Sequence, residues 1–131
     1  MFSEKELEYL RSQRLARIAT VSADGQPDVA AVAFKFDGQR FFVGGIDNTH
    51  TLKYKNTKAT GRAALVVDDF PSSNPPQPRG IKIHGKSRIV QADGYAGPGE
   101  YIEITPGRYW SWGIEAPAMD QGRPVIKKVR L

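Results

Sequence analysis

Along most of this chain polarity alternates with a period of two. Residues 79–92 are the clearest case. Ile81, Ile83, Gly85, Ser87 and Ile89 fall on one face, and Lys82, His84, Lys86 and Arg88 on the other. That is the pattern of a strand with one dry and one wet side. Residues 14–22, 28–36, 40–44 and 62–68 read as four more strands, apolar on both faces for much of their length. Residues 101–105 read as a short strand, Pro106-Gly107 as a kink, and 108–114 as another strand carrying Trp110 and Trp112 on one face. Residues 125–129 supply a last strand. Asp24-Gly25, Asp37-Gly38 and Asp93-Gly94 mark turns, where glycine takes positive φ without strain. Residues 69–78 are dense in proline and read as a surface loop, because proline has no N–H to give to a ladder.

Two segments break the alternation. Ser3 and Glu6 have the spacing of a capping box, and Phe2 and Leu7 that of a hydrophobic staple. With Leu7 and Leu10 on one face, a helix is predicted to about Gln13. The second segment is Thr49-His50-Thr51-Leu52-Lys53-Tyr54-Lys55-Asn56, polar and basic, which follows Gly44-Gly45 and reads as a short inserted helix beginning at Thr49. Seven or eight short strands with two helices predict one mainly β domain over residues 1–131. Its architecture is a small antiparallel barrel with Greek-key or meander connections.

Composition narrows the chemistry. The chain has 131 residues, 40% hydrophobic and 25% charged, with no cysteine. Disulfides, thiolate metal sites and cysteine nucleophiles are therefore excluded. The two histidines, His50 and His84, have no metal-ligand spacing, so no metal is expected. No apolar run approaches about 20 residues, and residues 1–6 are unlike a signal peptide, so a cytoplasmic protein off the membrane is expected. The net charge is +5. Basic residues cluster at 53–62 and 79–88, which favours a local anion site over a nucleic-acid stripe.

A helix beginning at Thr49 would place Thr49, Lys53 and Asn56 on one face and Thr51, Lys55 and Lys58 on the next. Lys53, with the free N–H groups and the two threonine hydroxyls, would then converge on one anion. The same segment also reads as a solvated basic helix, and the residues by themselves leave both readings open. Ala30, Ala31 and Ala33 leave room for a flat group against the backbone, or for close packing on another strand. Trp110 and Trp112 could stack on a planar ring or anchor an interface. No acid–base constellation is evident. A phosphate-type site without acid–base machinery suggests a cofactor that brings its own chemistry.

Five stretches in order then resemble one family. They are Leu15-Ala16-Arg17-Ile18-Ala19-Thr20-Val21 with the Asp24-Gly25 turn; residues 27–38, ending Phe34-Lys35-Phe36-Asp37-Gly38; Thr51-x-Lys53-x-x-Asn56; residues 62–68; and Arg79-Gly80-Ile81-Lys82-Ile83-His84-Gly85. Together they resemble the pyridoxamine 5′-phosphate oxidase-like superfamily of split β-barrels. Ile104-Thr105-Pro106-x-Arg108-x-x-Ser111-Trp112-Gly113 is similar to the branch that uses the deazaflavin coenzyme F420. The resemblance implies a homodimer with cofactor grooves at the interface and a small-molecule substrate. Thr49, Thr51, Lys53 and Asn56 would surround the phosphate, Val32, Ala33 and Phe34 would line the ring, and Trp110 and Trp112 of the partner would close the groove. Lys55 would be a further candidate for the phosphate or, instead, for the acidic tail of F420. The implied activity is hydride transfer between reduced F420 and an unsaturated or quinone-like acceptor, with catalytic residues unassigned and Tyr109 and His84 as candidate proton donors. FMN is the alternative cofactor, and a non-catalytic flavin, deazaflavin or haem carrier the alternative of another class. The chain lacks the long basic C-terminal substrate motif of the oxidases proper, which puts pyridoxamine phosphate in doubt as the substrate.

Overall fold

A computed structural model describes residues 1–44 and 48–131. Helix α1 (Glu4–Ser12) is opened by the expected capping box: the Glu6 N–H donates to Ser3 Oγ at 3.2 Å and the Ser3 N–H to Glu6 Oε1 at 2.9 Å. Strands β1 (Leu15–Val21), β2 (Pro27–Phe36) and β3 (Phe41–Gly44) form an antiparallel meander. A 3₁₀ turn (Asn48–His50) and helix α2 (Leu52–Thr60) follow. The expected Gly44-Gly45 strand end falls partly outside the described residues.

The chain then returns across the sheet. Strand β4 (Arg62–Ser73) pairs with β1, and β5 (Pro76–Gly94) and β6 (Gly97–Trp112) continue the order β3-β2-β1-β4-β5-β6. Pairing of β6 with β3 closes six strands into an antiparallel barrel. A small hairpin, β7 (Met119–Asp120) with β8 (Arg123–Pro124), precedes β9 (Lys127–Arg130), which pairs with the end of β6 as one extra strand. Ile18, Leu65, Val67, Ile81, Ile83, Ile102 and Ile104 point inward, and Phe2, Phe34, Phe36 and Phe41 fill one end of the core.

Three sequence expectations are corrected here. Residues 69–78 are a hairpin overhang in which Asp69 pairs with Arg79 and Ser72 with Gln77. β6 pairs with β5 only from Gly80 onward, so this ribbon has free outer edges where proline's missing N–H is harmless. The strands expected at 101–105 and 108–114 are one strand, shifted in register at Pro106-Gly107 opposite Gly85. There a Cβ on residue 85 would lie 2.4 Å from the Thr105 carbonyl oxygen, so glycine is required. The last strand begins at Lys127 instead of residue 125.

Glu6 locks α1 to the barrel. Its side chain is fully buried and receives Tyr109 Oη–H at 2.7 Å, Ser111 Oγ–H at 2.6 Å and Lys127 Nζ–H at 3.1 Å, besides Ser3. Burial alone raises its pKa. The donors from Ser111, Ser3, Tyr109 and Lys127 outweigh it and hold the carboxyl below its usual range.

Candidate functional site

Helix α2 starts later than its composition suggests. Thr51 is the N-cap, with extended backbone (φ −86°, ψ 154°), and its Oγ1 accepts the Tyr54 N–H at 3.3 Å while donating to the Asn48 carbonyl at 2.7 Å. The helix ends at Gly61, whose left-handed φ of 65° suits a C-cap. The expectation of a helix from Thr49 is therefore corrected. Thr49 lies in the preceding 3₁₀ turn and is exposed, and the face Thr49–Lys53–Asn56 does not form as one stripe. Asn56 is buried, and its Nδ2 donates to Thr20 Oγ1 at 3.1 Å, fastening α2 onto β1. Its place is beneath the helix, not at the helix mouth.

What remains at the mouth is compact. The N–H groups of Leu52 and Lys53 have no acceptor among the described residues. Lys53 is half-exposed and has no ion pair among them. Such a terminus favours an anion through its dipole and free donors. Lys55 is exposed, and Lys58 Nζ sits 5.6 Å from the Tyr54 ring centroid, while the Tyr54 hydroxyl donates to Glu100 at 3.0 Å.

Strand β2 sorts its own candidates by alternation. Val32 and Phe34 point into the core, so a ring laid on the strand would meet their backbone and not their side chains. Val29, Ala31 and Ala33 face outward with Leu15, Arg17, Ala19, Ala64 and Val66 of the neighbouring strands. Val29 is 68% and Leu15 60% exposed, leaving an uncovered apolar sheet face.

Trp110 and Trp112 share the outer face of β6, as expected. Trp112 lies over Gly80, where an added Cβ would come within 2.5 Å of its ring. Trp110 is ringed by Lys82 Nζ at 4.3 Å, the Arg108 guanidinium at 4.7 Å and the His84 ring at 4.6 Å. Desolvation, then Lys82 and Arg108, depresses the pKa of His84. Tyr109 is withdrawn as a proton donor: it is buried on Glu6, and burial and that carboxylate push its pKa to about 12.

Gly80, Gly85, Lys86 and Ser87 also have the spacing of a phosphate-binding loop, a match hidden within the alternation of residues 79–92. It lies in the middle of β5 with its backbone paired to β4 and β6, so it cannot cradle a phosphate. No group of three or more possible metal ligands occurs among the described residues. The contacts of Asn56 with Thr20 and of Tyr109 with Glu6 span 36 and 103 residues and leave no local signal in the sequence.

The family model for pyridoxamine 5′-phosphate oxidase matches residues 2–128. A 5a,11a-dehydrotetracycline/5a,11a-dehydrooxytetracycline reductase of Streptomyces rimosus is 37% identical over 120 residues, covering 87% of this chain and 84% of the reductase. Among solved structures, a conserved hypothetical protein of Mycobacterium tuberculosis superposes with a TM-score of 0.69 at 21% identity, covering 94% of both chains. An F420 reductase superposes with a TM-score of 0.57 at 22% identity, covering 74% of this chain and 89% of its own. At these identities the two structures speak for the fold alone.

Proposed function

The chain belongs to the pyridoxamine 5′-phosphate oxidase family, and we propose that this oxidoreductase is F420-dependent, reducing an electron-poor carbon–carbon double bond or quinone-like acceptor. The observation that carries the reading is the extensive identity to a reductase named for a dehydrotetracycline. The residues present fit the cofactor. Lys53 and the Leu52 and Lys53 N–H groups would hold its phosphate, with Thr51 fixing the helix start and Asn56 fixing the helix on β1. The outward side chains of Ala31 and Ala33 leave the β2 backbone open to a flat ring. When bound, the cofactor supplies the hydride; this chain positions it and excludes water.

A second copy of the chain would cover the apolar face of Leu15, Val29, Ala31 and Val66 and bring its Trp112 toward the groove. The uncovered apolar area supports that homodimer.

The test is a fluorescence titration of the purified protein with F420 and with FMN. Low-micromolar binding of F420 and much weaker binding of FMN are expected. Lys53→Ala should weaken F420 by about 1.5–3 kcal/mol, the scale of a charged hydrogen bond. A protein that purifies yellow with FMN would transfer the site to the flavin. Unchanged F420 affinity in the variant would remove the phosphate assignment.

A further inference from the structure

A cleft of about 510 Å³ opens between the β4–β5 overhang and the segment that joins β6 to β7, apart from the phosphate site. Its walls are mostly apolar, with Pro71, Pro76 and Pro78 from the overhang and Ile114, Ala116 and Met119 from the joining segment. Proline fixes its own φ, so the overhang wall is stiff. The two walls meet closely at Gly113, where an added Cβ would collide with the Pro78 carbonyl oxygen. Two charged side chains also line the cleft, Arg79 and Glu115. Glu115 is engaged by Lys127 at 3.4 Å. Arg79 is held by two groups. Its Nε and Nη2 donate to the two oxygens of Asp69 at 2.7 and 3.0 Å, and its guanidinium lies 4.9 Å from the Tyr9 ring centroid. Tyr9 Oη in turn donates to Asp69 at 2.9 Å. A guanidinium has five N–H groups, and Asp69 takes two of them. The others have no acceptor among the described residues, and the side chain is 36% exposed, so a ligand can reach it.

A stiff apolar cleft of this size suits a multi-ring organic molecule, with a few polar groups to orient it. A guanidinium already held in place, with a free edge, suits an oxygen acceptor and loses little entropy in binding it. Glu115 disfavours a molecule carrying several negative charges. A neutral fused-ring carbonyl compound satisfies all three conditions. We propose that this cleft is the acceptor subsite, holding a multi-ring ketone or quinone between the proline wall and Ile114, with Arg79 donating to one carbonyl oxygen. The substrate class rests on the oxidoreductase reading above, whereas binding of such a compound to the cleft does not need the cofactor. Trp112 precedes Gly113 and packs over Gly80, the neighbour of Arg79. A second copy that brings its Trp112 to the groove therefore brings this cleft to the same place. Arg79 and Asp69 also staple Tyr9 of α1 to the base of the overhang, a purely structural use of the same contacts.

Isothermal titration calorimetry on the full chain, free of F420 and loaded with it, compares a hydroxyanthraquinone with the anthrol of the same outline, which lacks the ring carbonyls. The parent should bind the quinone about tenfold more tightly, the worth of one hydrogen bond from a charged donor. In R79Q, shown to be folded by far-ultraviolet circular dichroism, the two affinities should come within about twofold while that for the anthrol stays unchanged. A purely structural Arg79 would leave the ratio at the parent's value, which overturns its role. If R79Q does not fold, A116W decides, since Ala116 is an exposed wall residue. It should weaken both ring compounds by about tenfold or more and leave F420 affinity at the parent's value. A parallel F420 titration keeps the two readings apart. Should F420 fail to bind while the quinone binds the parent and not A116W, the cofactor reading falls and the cleft stands. A quinone that binds neither form of the parent, or binds A116W equally well, overturns the cleft whatever F420 does. Equal affinity for quinone and anthrol in the parent overturns the hydrogen bond from Arg79.

Discussion

Glu6→Gln probes the lock between α1 and the barrel. The carboxylate gathers Ser3 N–H, Tyr109, Ser111 and Lys127 within 3.1 Å while fully buried. Glutamine keeps one oxygen, able to serve Tyr109 and Ser3, and the Ser111 hydroxyl can turn to accept from the new amide. Lys127 falls back on Glu115 at 3.4 Å. The net loss is then roughly one charge-assisted hydrogen bond, about 2–3 kcal/mol. Alanine strands all four donors and should lose about 3–5 kcal/mol, the scale of breaking a buried pair. Urea unfolding at fixed protein concentration reads this directly. With an m-value of about 2 kcal/mol/M, the glutamine variant's midpoint should fall by about 1 M. The pH dependence adds a sign. The folded-state pKa of Glu6 is depressed, so its contribution is present above the unfolded value near 4.5 and is lost as pH falls through the folded one. The gap between parent and variant should hold from pH 8 to about pH 5 and narrow below it. A glutamine variant as stable as the parent at pH 7, or a gap widening in acid, would refute the account.

Thr51→Ala should destabilise by about 0.5–2 kcal/mol, the usual loss of an N-cap, with faster amide exchange at Tyr54 and weaker F420 binding. Gly85→Ala pushes a Cβ against the Thr105 carbonyl and should cost about 1–3 kcal/mol or more, seen as a lower melting temperature. If the proposed homodimer forms through this face, Val29→Asp should leave a monomer in sedimentation with the circular dichroism unchanged, since that side chain is exposed in the single chain. A dimer that persists would move the interface elsewhere.

Period-two polarity carried most of the barrel, because each strand has one inward face and its register follows. The proline-rich overhang was misread because the proline rule concerns strands with neighbours on both sides, and residues 69–78 have one. The start of α2 was misplaced because Thr49 and Thr51 are equally good caps by type. The 3₁₀ turn that spends the Asn48 carbonyl on Thr51 decides between them. Helical spacing puts Asn56 beside Lys53 at the anion, and the Thr20 hydroxyl that makes its burial beneath the helix tolerable lies 36 residues away in sequence. Trp110 and Trp112 were correctly set on one face, since alternation alone places them. The basic outer face of β5, β6 and β9 was half visible: Lys82 and His84 alternate in sequence, but Arg108 and Arg130 join them only through register.

Strand β9 carries a consequence for how the molecule behaves in a crowd. A closed barrel has no unpaired rim, yet β9 is appended outside the closure and ends the seven-stranded sheet with open backbone groups. Such a rim is a template for strand addition by another chain. Here it is four residues long and reads Lys127-Lys128-Val129-Arg130; Lys127 is paired with Glu6, and Lys128 and Arg130 are exposed, so an incoming copy of the same strand would meet two like charges. Neutralising Lys128 and Arg130 would therefore remove a guard against ribbon-like self-association, and light scattering on such variants should be read beside any binding curve.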